Sequence, residues 1–106
     1  MAIWAGFGYA NDAIGGRVLR FMVSFVYKDG TTGEDIQPLV PDEQARVKEL
    51  REQGIVEELF LASDRSRGWF VMRRESEDAV REATASLPLS RFWEVTNTSI
   101  FDAQPA

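Results

Sequence analysis

Along "RVLRFMVSFVYKDG" (17–30) apolar side chains alternate in steps of two, with Phe21, Val23, Phe25 and Tyr27 on one side and Met22 and Val26 on the other. That period, in a run rich in β-branched and aromatic residues, predicts a strand closed by Asp29 and Gly30. A polar loop follows, and Pro38 and Pro41 bracket the start of a helix, "DEQARVKELREQG" (42–54). Acids lie in its first turn, basic residues come later, and Gly54 is placed to stop it. Val40, Val47 and Leu50 give the helix one apolar stripe. "IVEELFLASD" (55–64) reads as a second strand, "RSRG" (65–68) as a turn and "WFVMRRE" (69–75) as a third strand, which together make a hairpin. Ser76 is suited to cap a second helix, "EDAVREATAS" (77–86), whose Ala79, Val80, Ala83 and Leu87 fall on one face. Pro88 ends it, and "RFWEVTNTSIF" (91–101) is the fourth strand.

The order is β-α-β-β-α-β, the ferredoxin-like plan of an α+β protein with an antiparallel sheet. Residues 18–106 read as one domain, with residues 1–17, rich in Gly and aromatic side chains, as an N-terminal extension. In the third strand Trp69 and Val71 share one face and Phe70 and Met72 the other, so both sheet faces are largely apolar. Two helices cover only one of them. The pattern therefore predicts a second copy packed sheet against sheet in a homodimer or higher assembly.

Charge and missing residue types narrow the chemistry. A net charge of -5 argues against nucleic acid as a partner. No run approaches the roughly 20 apolar residues that span a bilayer, and no secretory leader is evident, which points to a cytoplasmic protein without a membrane partner. The chain has neither cysteine nor histidine. Thiolate catalysis, disulfides, and histidine-held zinc or haem are excluded, and no metal or cofactor is expected. Proton chemistry, if any, falls to a carboxylate, tyrosine, lysine, ligand group or water.

Two anchors, "LREQGIVEELFLASD" (50–64) and "SLPLSRFWEV" (86–95), stand in this element order at a spacing that resembles muconolactone isomerase and its relatives, including YCII-related proteins, of the dimeric α+β barrel superfamily. The resemblance runs from about Arg20 to Phe101. It implies a dimeric α+β barrel and a cofactor-free enzyme that moves a proton between carbons of an unsaturated lactone. In the leucine-proline-leucine turn itself, Pro88 cannot continue a helix, and Leu87 and Leu89 are placed to pin the turn to the core.

Polar groups on otherwise apolar strands are the candidate site residues. A carboxylate among aromatics has its pKa raised by desolvation and can shuttle protons near neutral pH, which singles out Glu94 first and Glu57 second as catalytic groups. An arginine facing such a group can hold a substrate carboxylate, so Arg20 or Arg73 is the expected anion clamp, with Ser24, Tyr27 and Trp93 bordering the substrate. Ion pairing at the ends of the sheet accounts for Arg20, Arg73 and Glu94 equally well. Glu57 and Glu58, being adjacent, are expected on opposite faces. Asp64, Arg65 and Arg67 belong to a hairpin turn, where solvated charge is the ordinary expectation. Two functions follow: carboxylate-mediated proton transfer on a small anionic metabolite, or a non-catalytic dimeric ligand-binding or assembly module.

Overall fold

The computed structural model describes residues 18–101; the N-terminal extension lies outside the described residues. The elements in chain order are β1 (Leu19–Tyr27), α1 (Gly33–Ile36), α2 (Val40–Glu52), β2 (Val56–Leu61), β3 (Arg67–Arg74), α3 (Glu77–Ala85) and β4 (Trp93–Ile100), with 3-10 turns at Gln37–Leu39 and Pro88–Phe92. The four strands form one antiparallel sheet in the order β2-β3-β1-β4. This is the ferredoxin-like α+β fold that the alternation predicted.

Each helix boundary has a local cause. The loop after β1 folds a short helix that the pattern did not anticipate, because Thr32 and Asp35 form a reciprocal capping box. Helix α2 ends at Gly54, whose φ of +79° is open to glycine and costly for other residues. The amides of Gly54 and Ile55 return to the carbonyls of Arg51 and Leu50 at 3.0 and 2.9 Å, closing the helix. Ser76 caps α3 by accepting the Ala79 N–H at 3.1 Å. The leucine-proline-leucine turn is a 3-10 turn, so β4 begins at Trp93, two residues later than the aromatic run suggested.

Phe21, Val23, Phe25, Phe70 and Met72 point to the helix side and form the core with Leu50, Val80, Leu87, Leu89 and Trp93. Arg46 Nε donates to Ser86 Oγ at 2.9 Å, tying α2 to the end of α3. On the opposite, outer face lie Met22, Ser24, Val26, Trp69 and Val71, with Phe60 of β2 half exposed opposite Trp69. None of the described helices covers this face.

One expectation fails on the outer face. The β2–β3 register slips between Val56 and Glu58, pairing Val56 with Met72 and Glu58 with Val71, so Glu57 is the extra residue of a β-bulge. The bulge cancels the alternation: Glu57 reaches Arg20 and Arg73 of the outer face, and Glu58 sits opposite Val71 of that same face. The two acids therefore share a face.

Candidate functional site

A cavity of about 370 Å³ opens between the helix side of the sheet and the α1–α2 arm, which is within the size range of small-ligand sites. Tyr27 at the end of β1, Trp93 at the start of β4 and Leu59 of β2 form its floor, and Val40, Glu43 and Val47 of α2 form its roof. Leu89 and Arg65, the latter on the β2–β3 hairpin, complete the lining. The walls are mostly apolar, and the charged side chains lining the cavity are Glu43 and Arg65.

Glu43 belongs to the apolar stripe of α2, one turn after Val40 and one turn before Val47, so packing α2 onto the sheet buries it. It is only 8% exposed. Burial raises its carboxyl above the usual glutamate range, and a hydrogen bond from the Leu89 backbone N–H to Oε1, at 2.9 Å, opposes part of the rise. Among the described residues no donor is paired with Oε2. Glu43 is thus a carboxyl group fixed on one oxygen, shifted toward neutrality and set in an apolar wall, which is the arrangement that suits a general acid or base. In the sequence it carried a signal that went unused, an acid inside an apolar helical stripe. Its place in the first turn of α2, where acids are ordinary, hid it.

The aromatic floor is rigid. Phe25 and Trp93 stack with ring centroids 4.0 Å apart, and Tyr27 meets Phe25 edge-on at 6.0 Å. The Trp93 indole N–H is buried without a partner among the described residues. Gly68, paired with Phe25 across β1 and β3, makes room for this stack, since an added Cβ would lie 2.5 Å from Phe25 Cζ.

Of the residues singled out from the sequence, Tyr27 and Trp93 line this cavity. Arg20, Ser24, Glu57, Arg73 and Glu94 do not. Glu57 is clamped between Arg20 (Nη2 to Oε1, 2.9 Å) and Arg73 (Nε to Oε2, 3.2 Å) on the outer face. Arg20 and Arg73 are themselves direct partners across β1 and β3, so the carboxylate relieves the repulsion of two facing guanidinium groups. Glu94 is exposed and borders a smaller depression of about 260 Å³ on the outer face, with Ser24, Arg67, Trp69 and Thr96. Among the described residues no group of three or more carboxylates is placed to hold a metal ion.

Fold and cavity together define an α+β protein of ferredoxin-like topology with a pocket between sheet and helices, fit for a small molecule. Its sequence narrows that class: the family model for muconolactone delta-isomerase matches residues 19–104, and the chain belongs to that family. No curated protein matches it significantly.

Proposed function

We propose that this chain is a cofactor-independent enzyme that moves a proton within a small anionic metabolite, and that Glu43 carries the proton. The observation that supports this most directly is the buried Glu43 carboxyl in the wall of the cavity, held at Oε1 by Leu89 and raised in pKa by burial. As the carboxylate it removes a proton from a carbon next to an unsaturated carbonyl. The electron pair moves into the conjugated system, and the resulting carboxylic acid returns the proton to another carbon of the same system. Atoms and charge balance without an oxidant or metal, and positioned acid-base groups of this kind contribute about 10²- to 10⁴-fold in rate. Membership of the muconolactone delta-isomerase family supports the reaction class.

The same reading has the outer sheet faces of two copies packed together in a homodimer, and the protein working in the cytoplasm. No described helix is long and apolar enough to cross a membrane. The test of the proton-transfer role is solvent deuterium exchange, followed by proton NMR, in a panel of anionic butenolides and enones. Exchange with the wild type and its loss in Glu43→Gln supports the role; unchanged exchange in Glu43→Gln refutes it. Exchange lost instead on removing Glu94 or Glu57 returns the role to the outer face. The second reading, a non-catalytic binding module, draws on the pairing of Arg20 and Arg73 with Glu57, and is favoured if ligands bind without exchange.

A further inference from the structure

We propose that Arg65 is the specificity-determining residue of the Glu43 cavity, its guanidinium receiving the anionic end of a ligand whose remaining body is apolar. This rests on the reading of the cavity as a ligand site.

Arg65 is the cation that lines the cavity, and it has no ion-pair partner among the described residues. The arginines of the strands are placed elsewhere: Arg20 and Arg73 on Glu57, Arg74 on Glu75, and Arg67 beside Glu94 on the outer face. Its nearest acid in sequence is turned away. Asp64 Oδ1 accepts the Ser66 N–H at 3.0 Å and the Ser66 hydroxyl at 2.7 Å, and these bonds hold its carboxyl below the usual range.

The backbone points the same way. Arg65 has φ of +66° and is the non-glycine residue with positive φ among those described. The turn fixes it there: its N–H donates to the Ala62 carbonyl at 2.8 Å, and the Ala62 N–H donates to the Arg67 carbonyl at 3.0 Å. Hairpin turns favour glycine or asparagine at such a position, and a long side chain is disfavoured. An arginine at this position runs against backbone preference, which marks its side chain as a candidate for a role at the cavity.

The two charges also divide the work. Glu43 is held at Oε1 by the Leu89 N–H and makes no ion pair with Arg65, so each charge lines the cavity separately. A ligand held by its anion at Arg65 would lay its apolar, unsaturated part over the aromatic floor toward Glu43. The ligand class is therefore a monocarboxylate with a flat unsaturated body small enough for about 370 Å³.

The test is calorimetric titration of the full chain at pH 7 with trans-cinnamate and its neutral counterpart cinnamamide, using wild type, Arg65→Gly and Arg65→Lys. Glycine suits positive φ, so Arg65→Gly keeps the turn. The wild type is expected to bind cinnamate about ten-fold more tightly than cinnamamide or better, a contribution ordinary for a charge-assisted contact. Arg65→Gly brings the two probes together with the cinnamamide affinity unchanged, and Arg65→Lys keeps part of the preference. A preference that survives in Arg65→Gly, or equal binding of both probes by the wild type, overturns the role of Arg65 and leaves the cavity reading standing. Absence of binding by either probe, with an unmoved Trp93 indole resonance, overturns the cavity reading and this proposal with it.

Discussion

The Leu89 backbone N–H and the Glu43 carboxyl meet at 2.9 Å across 46 positions of sequence. The contact joins the leucine-proline-leucine turn to helix α2 and to the cavity in one interaction. Leu87 is fully buried and Leu89 nearly so, which pins the turn to the core, while the amide that this turn orients is spent on the buried acid. The turn is thus a fold element that also holds the carboxyl of the candidate site and offsets part of the rise that burial imposes on its pKa.

A raised carboxyl pKa makes stability depend on pH in a definite direction. The folded protein holds the Glu43 proton more tightly than the unfolded chain does, so Glu43 opposes folding progressively as pH rises from the ordinary glutamate value of 4.5 through the higher folded value. Its unfavourable contribution is absent below that window and complete above it. Glu43→Gln removes the titration and keeps an oxygen for the Leu89 N–H. Urea unfolding at pH 5 and pH 8 should therefore show the variant gaining on the wild type as pH rises. Glu43→Ala instead leaves the Leu89 N–H unpaired, at a cost of about 1–3 kcal/mol.

Gly68→Ala should be destabilising although the change is one methyl group. The added Cβ would meet the Phe25 ring at 2.5 and 2.7 Å and Leu61 Cδ2 at 2.9 Å. Phe25 is boxed in by Trp93 and Phe70, with centroids 4.0 and 5.8 Å away, so it yields only by entering the cavity or opening the stack. A cost of about 1–3 kcal/mol is expected for such overpacking. Thermal unfolding measures that cost, and the near-ultraviolet circular dichroism of the aromatic cluster should change with it.

The parts of the fold that were legible in the sequence are those with a regular period. Alternation grouped Phe21, Val23 and Phe25 within β1 and Phe70 and Met72 within β3, the register then put both groups on one face, and Gly54 marked the end of α2 by its need for positive φ. The bulge at Glu57 was not legible, because it inserts a residue with no glycine or proline to announce it, and the period-two rule then put Glu57 and Glu58 on opposite faces. Arg65 was concealed for another reason. Charge on a hairpin is ordinarily solvated, and only the packing of α2 over the sheet brings the hairpin to a cavity wall. Glu43 was readable in principle from the stripe Val40, Val47 and Leu50, whose face it shares.

Glu57 should behave as a structural residue. It is 25% exposed and bonded to both Arg20 and Arg73, so Glu57→Gln leaves two facing guanidinium groups with weaker compensation. A loss of about 1 kcal/mol is expected at low salt, shrinking as added salt screens the repulsion. Cinnamate titration of the same variant should match the wild type, because the cluster lies on the face opposite the cavity. A variant stable at every salt concentration yet altered in ligand affinity would show that the outer face communicates with the site.

The outer face provides the test of assembly. Met22, Val26, Trp69 and Val71 form its apolar centre, Phe60 is 54% exposed at its β2 side, and charge stands at its ends in Arg20, Glu57 and Arg73 and in Arg67 and Glu94. A contiguous apolar centre with a charged rim is the pattern of a subunit interface, and a symmetric pair brings each rim against its own copy. Sedimentation equilibrium should give twice the 12.0 kDa chain mass for the wild type. Phe60→Arg adds a charge to the face while leaving the buried core untouched, so it should shift the mass toward one chain and keep the far-ultraviolet circular dichroism of the fold. A wild type that sediments as a single chain at every concentration would mean that this face is covered in another way, and would leave the cavity, on the opposite side of the sheet, unaffected.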